Sequence, residues 1–272
     1  MYEKLRNQLN QMQQTLPTGY LPLDRLTGGL PKEGLTVVAS RPAMGRTGFV
    51  LGMASRLAEK ISGTILIFSG NESEETIGSR LLSCGTGFPI SALLDGSVSR
   101  QEGAERVVSY LARQQANIKI APWGTISVED MEQDCFDVPD LRLIIVDNFE
   151  YLAQWKRGED GMMHEVPLAA DKRMQGLKKL AQTFHVPVVC TLHLHRRLER
   201  RKDKCPRMTD LKAMGLEEDL FDQVFFLYRP AYYDPYTQDG TLTNCVVARN
   251  QIGDVGTVPL DIDWKLRTFT ER

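Results

Sequence analysis

The segment SRPAMGRT, residues 40–47, restricts the fold of this chain more than any other feature. It lies at the end of the apolar run LTVVAS and directly before a helix-forming stretch. A glycine turn between a buried strand and a helix is the setting of a phosphate-binding loop, because backbone N–H groups and the helix N-terminus face the anion. Gly45 allows close approach, and Thr47 offers a hydroxyl to magnesium. A glycine turn that enters a helix and binds no ligand is the alternative for this segment alone.

Two positions of this loop differ from the usual pattern of phosphate-binding loops. The first position is Ser40 rather than glycine, and Arg46 stands where a lysine is usual. A lysine acts as a compact charge at the β- and γ-phosphates, whereas a guanidinium is planar and wider. Nucleotide binding is compatible with this exchange, but efficient catalysis is less so.

Apolar runs alternate with helical patterns along most of the chain. The strand-like runs are LTVVAS, TILIFS (64–69), NIKIA, LRLIIVD (141–147) and VPVVCTL (186–192), and the helical stretches include 45–60, 73–83 and 168–184. Continuous apolar strands separated by helices predict a parallel sheet that is covered on both faces. The runs QVFFLYR, NCVVAR and TVPLDID near the end follow one another without long helices, which predicts an antiparallel extension of the sheet.

Composition places the chain among ordinary globular proteins. It has 272 residues, of which 42% are hydrophobic and 25% charged, and no run of 18 apolar residues predicts a membrane span. The five cysteines are scattered, without the spacing of a zinc site or a disulfide framework, which favours reduced thiols in a cytoplasmic protein. The net charge of −2 means that any nucleic-acid contact has to come from a local basic patch.

The run LRLIIVD ends in Asp147. A carboxylate at the carboxyl end of a strand is the second element of P-loop ATPases, in which it helps to hold magnesium. Strands often end in Asp at a turn, so this signal is weak alone. Together with the upstream loop it indicates a nucleotide site in which Thr47 and Asp147 hold Mg²⁺.

Several further segments, in order, resemble the DnaB family of replicative DNA helicases. These segments are TGYLPLDRLTGGLPKEGLTVVASRPAMGRT, ILIFSGNES, VDNFEYL, VPVVCTLHLHRRLERRKDKCPRMTDLKAMG, DQVFFLYRPAYYD and NQIGDVGTVPLDID. The resemblance runs from about Thr18 to the C-terminus. It implies a RecA-like α/β domain over residues 17–272, with ATP and Mg²⁺ as ligands. The residues that it assigns to nucleotide binding are Arg41, Pro42, Ala43, Met44, Gly45, Arg46 and Thr47.

Residues 1–16 leave room only for something like the family's linker helix. Tyr2, Leu5, Leu9 and Met12 have helical spacing in a polar stretch, which predicts a short amphipathic helix over residues 2–14. In the family this helix packs on the next subunit of a ring, so the resemblance implies a homo-oligomeric ring or association with a helicase ring. Docking on its own subunit, or fraying, is the alternative.

Other departures from the family concern catalysis. The resemblance places Asn71 where the family has its catalytic glutamate, with Glu72 beside it but directed to the opposite side if the segment is a strand. His193 stands at the position of a glutamine sensor. Arg249 and Gln251 stand where a lysine and an arginine reach the neighbouring subunit's ATP. Together with Arg46, these replacements predict that nucleotide is bound but hydrolysed slowly or not at all.

The segment HRRLERRKDK concentrates positive charge. Six cations occur within nine residues, among them Arg196, Arg197, Arg200, Arg201 and Lys202, and the pairs 196/200 and 197/201 would share helical faces. In the family this region faces the central channel, which predicts contacts to the phosphates of single-stranded DNA. The alternative is a solvated helix whose own Glu199 and Asp203 pair with these cations.

The leading functional hypothesis is a DnaB-like helicase domain that binds ATP and single-stranded DNA in DNA replication. The alternative is a non-hydrolysing paralogue that acts as a nucleotide, DNA or partner-binding module. A RecA-type recombination or clock-like ATPase would share the core but not the HRRLERRKDK and FLYRPAYY segments. Asn71, Gln251 and Arg46 are the positions that discriminate the first two hypotheses.

Overall fold

The computed structural model describes residues 15–89, 91–92, 95, 97–121, 127–152, 154–157, 163–166, 169–234, 236–237 and 239–272. The helix predicted for residues 2–14 lies outside this part of the chain. Within it, no helix has both the length and the apolar character that a membrane crossing requires.

The described chain alternates between strands and helices. The strands are β1 (Thr15–Leu16), β2 (Leu30–Pro31), β3 (Leu35–Ser40), β4 (Gly63–Ser69), β5 (Ala116–Ile120), β6 (Leu141–Asp147), β7 (Gln154–Arg157), β8 (Met163–Val166), β9 (Val188–His193), β10 (Gln223–Tyr228), β11 (Leu242–Asn250), β12 (Gly256–Asp263) and β13 (Thr268–Glu271). The α-helices are α1 (Leu21–Thr27), α2 (Arg46–Ala58), α3 (Glu74–Thr86), α4 (Arg100–Arg113), α5 (Val128–Phe136), α6 (Ala170–Phe184), α7 (Met208–Lys212) and α8 (Pro230–Tyr233).

One sheet organises the described chain. Its strand order is β13-β12-β11-β10-β3-β9-β6-β4-β5. The pairs from β10 to β5 are parallel, and those from β10 to β13 are antiparallel. The predicted mainly parallel sheet with antiparallel C-terminal strands is therefore confirmed.

Each face of the sheet buries a hydrophobic layer. Side chains alternate along β4, so that Ile65 and Ile67 pack with helix α2 while Leu66 and Phe68 pack with α5 and α6 on the other face. All four are fully or almost fully buried. A strand buried on both faces has no polar side, which explains its continuous apolar sequence.

The C-terminal strands differ in two details from the sequence prediction. The sequence predicts that β10 begins the antiparallel extension, but this strand pairs in parallel with β3, so that the antiparallel part begins at β11. The connection over residues 194–222 between β9 and β10, which flank β3 in the sheet, is long enough for the crossover that parallel strands require. A further strand, β13, completes a hairpin with β12 and is absent from the sequence prediction.

The parallel strands bring polar residues to one edge of the sheet. Ser40, Asp147 and His193 end β3, β6 and β9, which are neighbours in the sheet. Ser69 ends β4 and pairs with Asp147. Because ligands of open α/β sheets bind at the carboxyl ends of the strands, this edge is the expected position of a ligand site.

Candidate nucleotide-binding site

The predicted phosphate loop connects β3 to α2. Gly45 has a φ of 91° at the residue before the helix, a left-handed conformation that favours glycine. A Cβ atom at this position would lie 2.8 Å from side-chain atoms of both Ile262 and Phe269. The loop therefore needs glycine for its backbone conformation and for its packing, and it leaves the N-terminal N–H groups of α2 at the edge of the sheet.

A cleft of ≈ 470 Å³ opens at this loop. It is lined by Ser40, Arg41, Ala43, Met44, Gly45, Arg46, Thr47, Gly48, Asn71, Glu72, Arg80, Asn148, His193, Ile262, Trp264 and Arg267. The structure thus brings the predicted loop residues together around one cleft, except Pro42, which lies in the loop but does not line the cleft. The helix N-terminus and the four arginines make the cleft suited to a polyanion.

The carboxylate of Asp147 is held by two hydroxyls. Thr47 Oγ1 donates to Asp147 Oδ2 over 2.8 Å, and Thr191 Oγ1 donates to Asp147 Oδ1 over 2.6 Å. Asp147 is fully buried. Although they are distant in sequence, Thr47 and Asp147 therefore lie side by side, and their oxygens are ligands of the kind that magnesium prefers.

Arg46 is folded into the base of the loop. Its Nη1 atom donates to the carbonyl oxygen of Ser40, at 3.1 Å, and to that of Leu192. Burial lowers the pKa of Arg46 to about 10, so its guanidinium still carries its charge at neutral pH. A cation that is held by backbone carbonyls beside the cleft contributes a fixed positive charge to it.

Asn71 and Glu72 both line the cleft. Glu72 is expected to point away from it if the segment remains a strand, but β4 ends at Ser69 and the following residues form a bend. The Asn71 amide oxygen accepts from Asn148 Nδ2 over 2.8 Å. Glu72 Oε1 accepts from Arg80 Nη2 over 2.6 Å, whereas Oε2 is buried without a hydrogen-bond partner among the described residues.

The environment of Glu72 disfavours its ionised form. Burial is the main cause that raises the pKa of Glu72, and the charge of Asp147 raises it further, while Arg80 and Arg267 lower it. A carboxylate with a raised pKa and one unpartnered oxygen is suited to accept a proton. The bend after β4 therefore brings into the cleft a carboxylate that a strand would have turned away.

His193 lies at the end of β9 and lines the same cleft. Its backbone N–H donates to Glu150 Oε1, and its ring nitrogen Nδ1 lies 3.8 Å from that oxygen. Burial, followed by the charge of Arg46, lowers the pKa of His193 below its ordinary value of 6.5. The imidazole is consequently neutral at pH 7.

The β12–β13 hairpin forms one wall of the cleft. A Cβ atom at Gly48 would lie 2.0 Å from the carbonyl oxygen of Arg267, so the hairpin rests directly on the first turn of α2. Trp264 is 46% exposed in this wall, and the guanidinium carbon of Arg229 lies 4.1 Å from the centre of its ring. The hairpin supplies both a cation and a partly exposed indole to the cleft.

Arg249 and Gln251 lie away from the cleft of their own chain, at the opposite end of β3. Arg249 Nε donates to the carbonyl oxygen of Phe221 over 2.7 Å. With its amide oriented so that both groups find a partner, Gln251 donates to Asp222 Oδ1 over 3.2 Å and accepts from Arg249 Nη2 over 3.3 Å. The two residues are together, as expected, but both are engaged with the loop before β10.

The predicted basic segment is not an α-helix. Residues Arg196–Arg200 form a 3-10 helix, and Arg201 follows it in extended conformation, so the pairs 196/200 and 197/201 do not share α-helical faces. Arg201 is bound to Asp210 by contacts of 2.8 and 3.0 Å and to the Cys205 carbonyl.

The acidic residues of the segment pair with partners outside its six cations. Glu199 bonds Arg41 at 2.9 Å, and Asp203 bonds Arg207 at 2.6 Å. Among the described residues, the remaining cations of the segment have no ion-pair partner: Arg196, Arg197, Arg200, Lys202 and Lys204. The alternative in which Glu199 and Asp203 pair with the cations of their own segment is thus not found in the described chain.

Another cavity, of ≈ 500 Å³, lies between α5 and α6. Lys172, Arg173 and Lys179 line it together with Glu129 and Glu132. Its described lining includes no glycine turn like that at Gly45, and its charges are mixed. The cleft at the phosphate loop is the better candidate for a nucleotide.

Several residues of the site are not identified by the sequence analysis. Arg80, Arg267, Trp264 and Arg229 reach the cleft or its wall through tertiary packing. The alternation of TFTE, residues 268–271, is a signal for β13 and hence for the hairpin that carries two of them. No sequence pattern pairs Arg80 with Glu72.

Comparisons with known proteins identify relatives of this chain. A family model described as the DnaB-like helicase C-terminal domain matches residues 15–271. The replicative DNA helicase DnaC of Bacillus subtilis (strain 168) is 30% identical over 248 residues, which are 90% of this chain and 54% of the relative. The replicative DNA helicase DnaB of Geobacillus stearothermophilus gives the same values. The chain therefore spans about half the length of these relatives.

Solved structures establish the fold independently. One that is described as an ATPase domain has a TM-score of 0.82 and 22% identity, with coverage of 100% of this chain and 95% of that one. A DnaB-like replicative helicase, described with its interactions with primase, has a TM-score of 0.80 and 22% identity, with coverage of 95% and 63%. The predicted RecA-like P-loop core is confirmed. With its family model matched from residue 15 to residue 271, this chain belongs to the DnaB-like helicase C-terminal domain family.

Proposed function

We propose that this domain binds ATP with Mg²⁺ in the cleft at the phosphate loop. The observation that carries the proposal is the hydrogen bond of 2.8 Å between Thr47 and Asp147, directly beside the N-terminus of α2. N–H groups at a helix N-terminus bind phosphate, and Arg41, Arg46 and Arg267 add positive charge.

The residues around the cleft also fit magnesium. Mg²⁺ is commonly bound by one or two protein oxygens together with phosphates of the substrate. Thr47 and Asp147 would hold it, and the ion would neutralise charge on the phosphates. Because Asp147 is fully buried and held by two hydroxyls, its orientation is fixed before any ligand arrives.

Hydrolysis in this cleft is expected to be slow. Asn71 cannot accept a proton from water, and its amide oxygen is already bonded to Asn148. Glu72 is a carboxylate of the cleft with an oxygen that is unpartnered within the described chain, so we assign to it the role of general base. Arg80 holds its other oxygen and limits its freedom to move. His193, neutral at pH 7, would act as a hydrogen-bonding sensor rather than as a charge.

The binding of single-stranded DNA is the second part of the proposal. The cations Arg196, Arg197, Arg200 and Lys202 are exposed and without ion pairs among the described residues. Phosphates are their natural partners, and contacts of this kind depend on salt and not on sequence. The replicative DNA helicases that the chain resembles support a role in DNA replication. A cytoplasmic location, and assembly in a ring of several copies or together with a helicase ring, belong to the same proposal.

A second function is favoured by Arg249 and Gln251. Both are engaged with the loop before β10, and Gln251 has no charge to offer to a neighbouring cleft. An arginine that acts from a neighbouring subunit contributes roughly 10³–10⁵ to the rate of such enzymes. Without it, the domain would bind nucleotide as a non-hydrolysing module of a larger assembly.

The test is to measure nucleotide affinity and phosphate release side by side, with and without single-stranded DNA. We expect binding of a non-hydrolysable ATP analogue and turnover well below about one per second, the lower end of ordinary enzymes. Turnover near that value with DNA present would contradict slow hydrolysis. Absence of nucleotide binding would contradict both the helicase function and the binding-module function.

Trp264 provides a direct report of binding. An indole in the wall of the cleft should change its fluorescence when a nucleotide enters, and the Trp264→Phe variant should lose that change while keeping similar affinity. The triple variant Asn71→Glu, Gln251→Arg, Arg46→Lys then separates the two functions. Raised turnover in this variant indicates a competent helicase fold, whereas unchanged turnover favours the binding module.

A further inference from the structure

Arg41 connects the nucleotide cleft to the basic segment. It lines the cleft at the phosphate loop. Its Nε atom donates to Glu199 Oε1 over 2.9 Å, and its Nη1 atom donates to the carbonyl oxygen of Leu194 over 2.8 Å. Leu194 and Glu199 lie at the two ends of the stretch that contains Arg196 and Arg197, so one guanidinium holds this stretch at two points.

The beginning of the segment is also tied to the beginning of the loop. The backbone N–H of Leu194 donates to the carbonyl oxygen of Ser40 over 2.8 Å. Ser40 in turn accepts a hydrogen bond from Arg46. Two successive contacts therefore connect the phosphate loop to the start of the basic segment, while the contact between Arg41 and Glu199 fixes a point in the middle of the segment.

The guanidinium of Arg41 retains free donors. A guanidinium has five N–H groups in a fixed plane, and Nη2 of Arg41 makes no hydrogen bond within the described chain. The Arg41 side chain is 18% exposed and belongs to a group that lines the cleft. A phosphate oxygen can therefore bind Nη2 while Nε and Nη1 keep their partners, since the planar group serves several acceptors at once.

The alternative is that the ion pair of Arg41 and Glu199 only braces the loop. A brace would affect stability equally with and without nucleotide. A connection between two sites instead predicts a coupling free energy, and that quantity is reciprocal and measurable.

On the basis of these contacts, and resting on the proposed function, we propose that Arg41 is a positioning residue that transmits occupancy of the nucleotide cleft to the basic segment through Glu199. Phosphate on Nη2 restricts the Arg41 side chain. Glu199 and Leu194 are held more firmly as a result, and the exposed cations between them are oriented for DNA phosphates. Glu199 itself binds neither ligand.

The experiment measures the affinity for a fluorescein-labelled oligothymidylate with and without Mg²⁺ and a non-hydrolysable ATP analogue. Coupling of this kind commonly amounts to about 5–150-fold, so we expect nucleotide to tighten DNA binding of the wild-type protein within that range. In Glu199→Ala the ratio of the two affinities should fall to about one, with nucleotide affinity in the absence of DNA unchanged within about twofold. Glu199→Gln keeps an acceptor without its charge and should retain part of the ratio.

Asp203→Ala is the matched control. It removes the same charge from the same segment, but Asp203 bonds Arg207 and not Arg41. Both alanine variants should bind DNA slightly more tightly, because each removes a negative charge from the segment. Only in Glu199→Ala should the ratio of DNA affinities with and without nucleotide fall to about one. A ratio in Glu199→Ala equal to that of the wild type would overturn the inference.

Trypsin cleavage gives a second readout that does not depend on DNA. Arg196, Arg197 and Arg200 are exposed cleavage sites. Nucleotide should slow cleavage at these sites several-fold in the wild-type protein and in Asp203→Ala, but not in Glu199→Ala. Equal slowing in Glu199→Ala would contradict the proposal. If the wild-type protein binds neither nucleotide nor DNA, the proposed function itself is contradicted. If all variants bind both ligands and keep the wild-type ratio of DNA affinities with and without nucleotide, only the present inference is overturned.

Discussion

Thr47 and Asp147, 100 positions apart in sequence, meet in a hydrogen bond of 2.8 Å at the carboxyl edge of the sheet. The hydroxyl comes from the first turn of α2 and the carboxylate from the end of β6. The strand order separates β3 from β6 by β9 alone, and β9 contributes Thr191 to the same carboxylate. Three elements of the parallel core therefore fix one carboxylate beside the phosphate loop.

Asp147→Asn should weaken the dependence of nucleotide binding on magnesium. Changes to residues that merely support metal ligands cost about 10–100-fold in metal affinity, so the loss of a ligand carboxylate should cost at least that much. Calorimetric titration of the nucleotide with and without Mg²⁺ measures the effect. Thr47→Ser keeps the hydroxyl and is the matched control. Full magnesium dependence in Asp147→Asn would exclude Asp147 as a ligand.

Glu72→Gln should lower residual ATP hydrolysis by about 10²–10⁴-fold, the usual contribution of a general base, while nucleotide affinity stays close to that of the wild type. Because Glu72 must be ionised to accept a proton, the rate should fall as the pH falls through its raised pKa. The acid limb of the pH–rate profile therefore lies above the ordinary value of 4.5. Arg80 lowers this pKa, so Arg80→Ala should move the limb to higher pH. Unchanged turnover in Glu72→Gln would place the base elsewhere.

Arg200 and Arg201 are neighbours with different expected roles. Arg200 is exposed and unpaired within the described chain, so Arg200→Ala should reduce the slope of log affinity for single-stranded DNA against log salt by about 0.7, with no effect on stability. Arg201 is bonded to Asp210, so Arg201→Ala should lower the free energy of unfolding by about 1.5–3 kcal/mol. Salt titrations and urea unfolding of both variants test this. Identical behaviour of the two would contradict the structure of the segment.

The contact between Gly48 and the hairpin can be tested by adding a methyl group. In Gly48→Ala the new Cβ would meet the Arg267 carbonyl at 2.0 Å, and overpacking of this kind commonly costs about 1–3 kcal/mol. Gly78 lies within helix α3 with no described atom within 4 Å of a Cβ, so Gly78→Ala should stabilise the protein by roughly 0.5–1 kcal/mol. Urea unfolding of both variants measures the difference. An unchanged free energy of unfolding in Gly48→Ala would mean that the hairpin shifts away from α2 at little energetic cost.

The sequence predicts the core of the fold because local patterns determine it. The apolar run at residues 141–147 and the loop around Gly45 carry their signals within a few residues, and strand β6 has the predicted bounds. The prediction that Glu72 points away from the cleft holds only if its segment is a strand, and where β4 ends depends on tertiary contacts: β4 stops at Ser69 and Glu72 lines the cleft. A Cβ at Gly70 would lie 2.2 Å from Tyr151, and the Gly70 N–H bonds the carbonyl of Asp147.

The positions of the cations in the cleft also depend on tertiary contacts that the sequence alone does not reveal. Arg46 is identified from the loop itself, whereas Arg80 and Arg267 are brought in by α3 and by the β12–β13 hairpin. No rule of spacing relates these three positions, since each depends on how separate elements pack. The resemblance to a family adds most to the prediction where it indicates how separate helices and strands are arranged around the cleft.

The packing of the β12–β13 hairpin on α2 has a consequence for folding during synthesis on the ribosome. Ile262 and Phe269, which pack against Gly45, are synthesised more than 200 residues after the phosphate loop. A nascent chain can therefore form the central strands well before the hairpin that completes the wall of the cleft has been synthesised. In ribosome-bound intermediates that stop short of the hairpin, Gly45 therefore lacks its packing against Ile262 and Phe269, which is completed only when strand β13 is made.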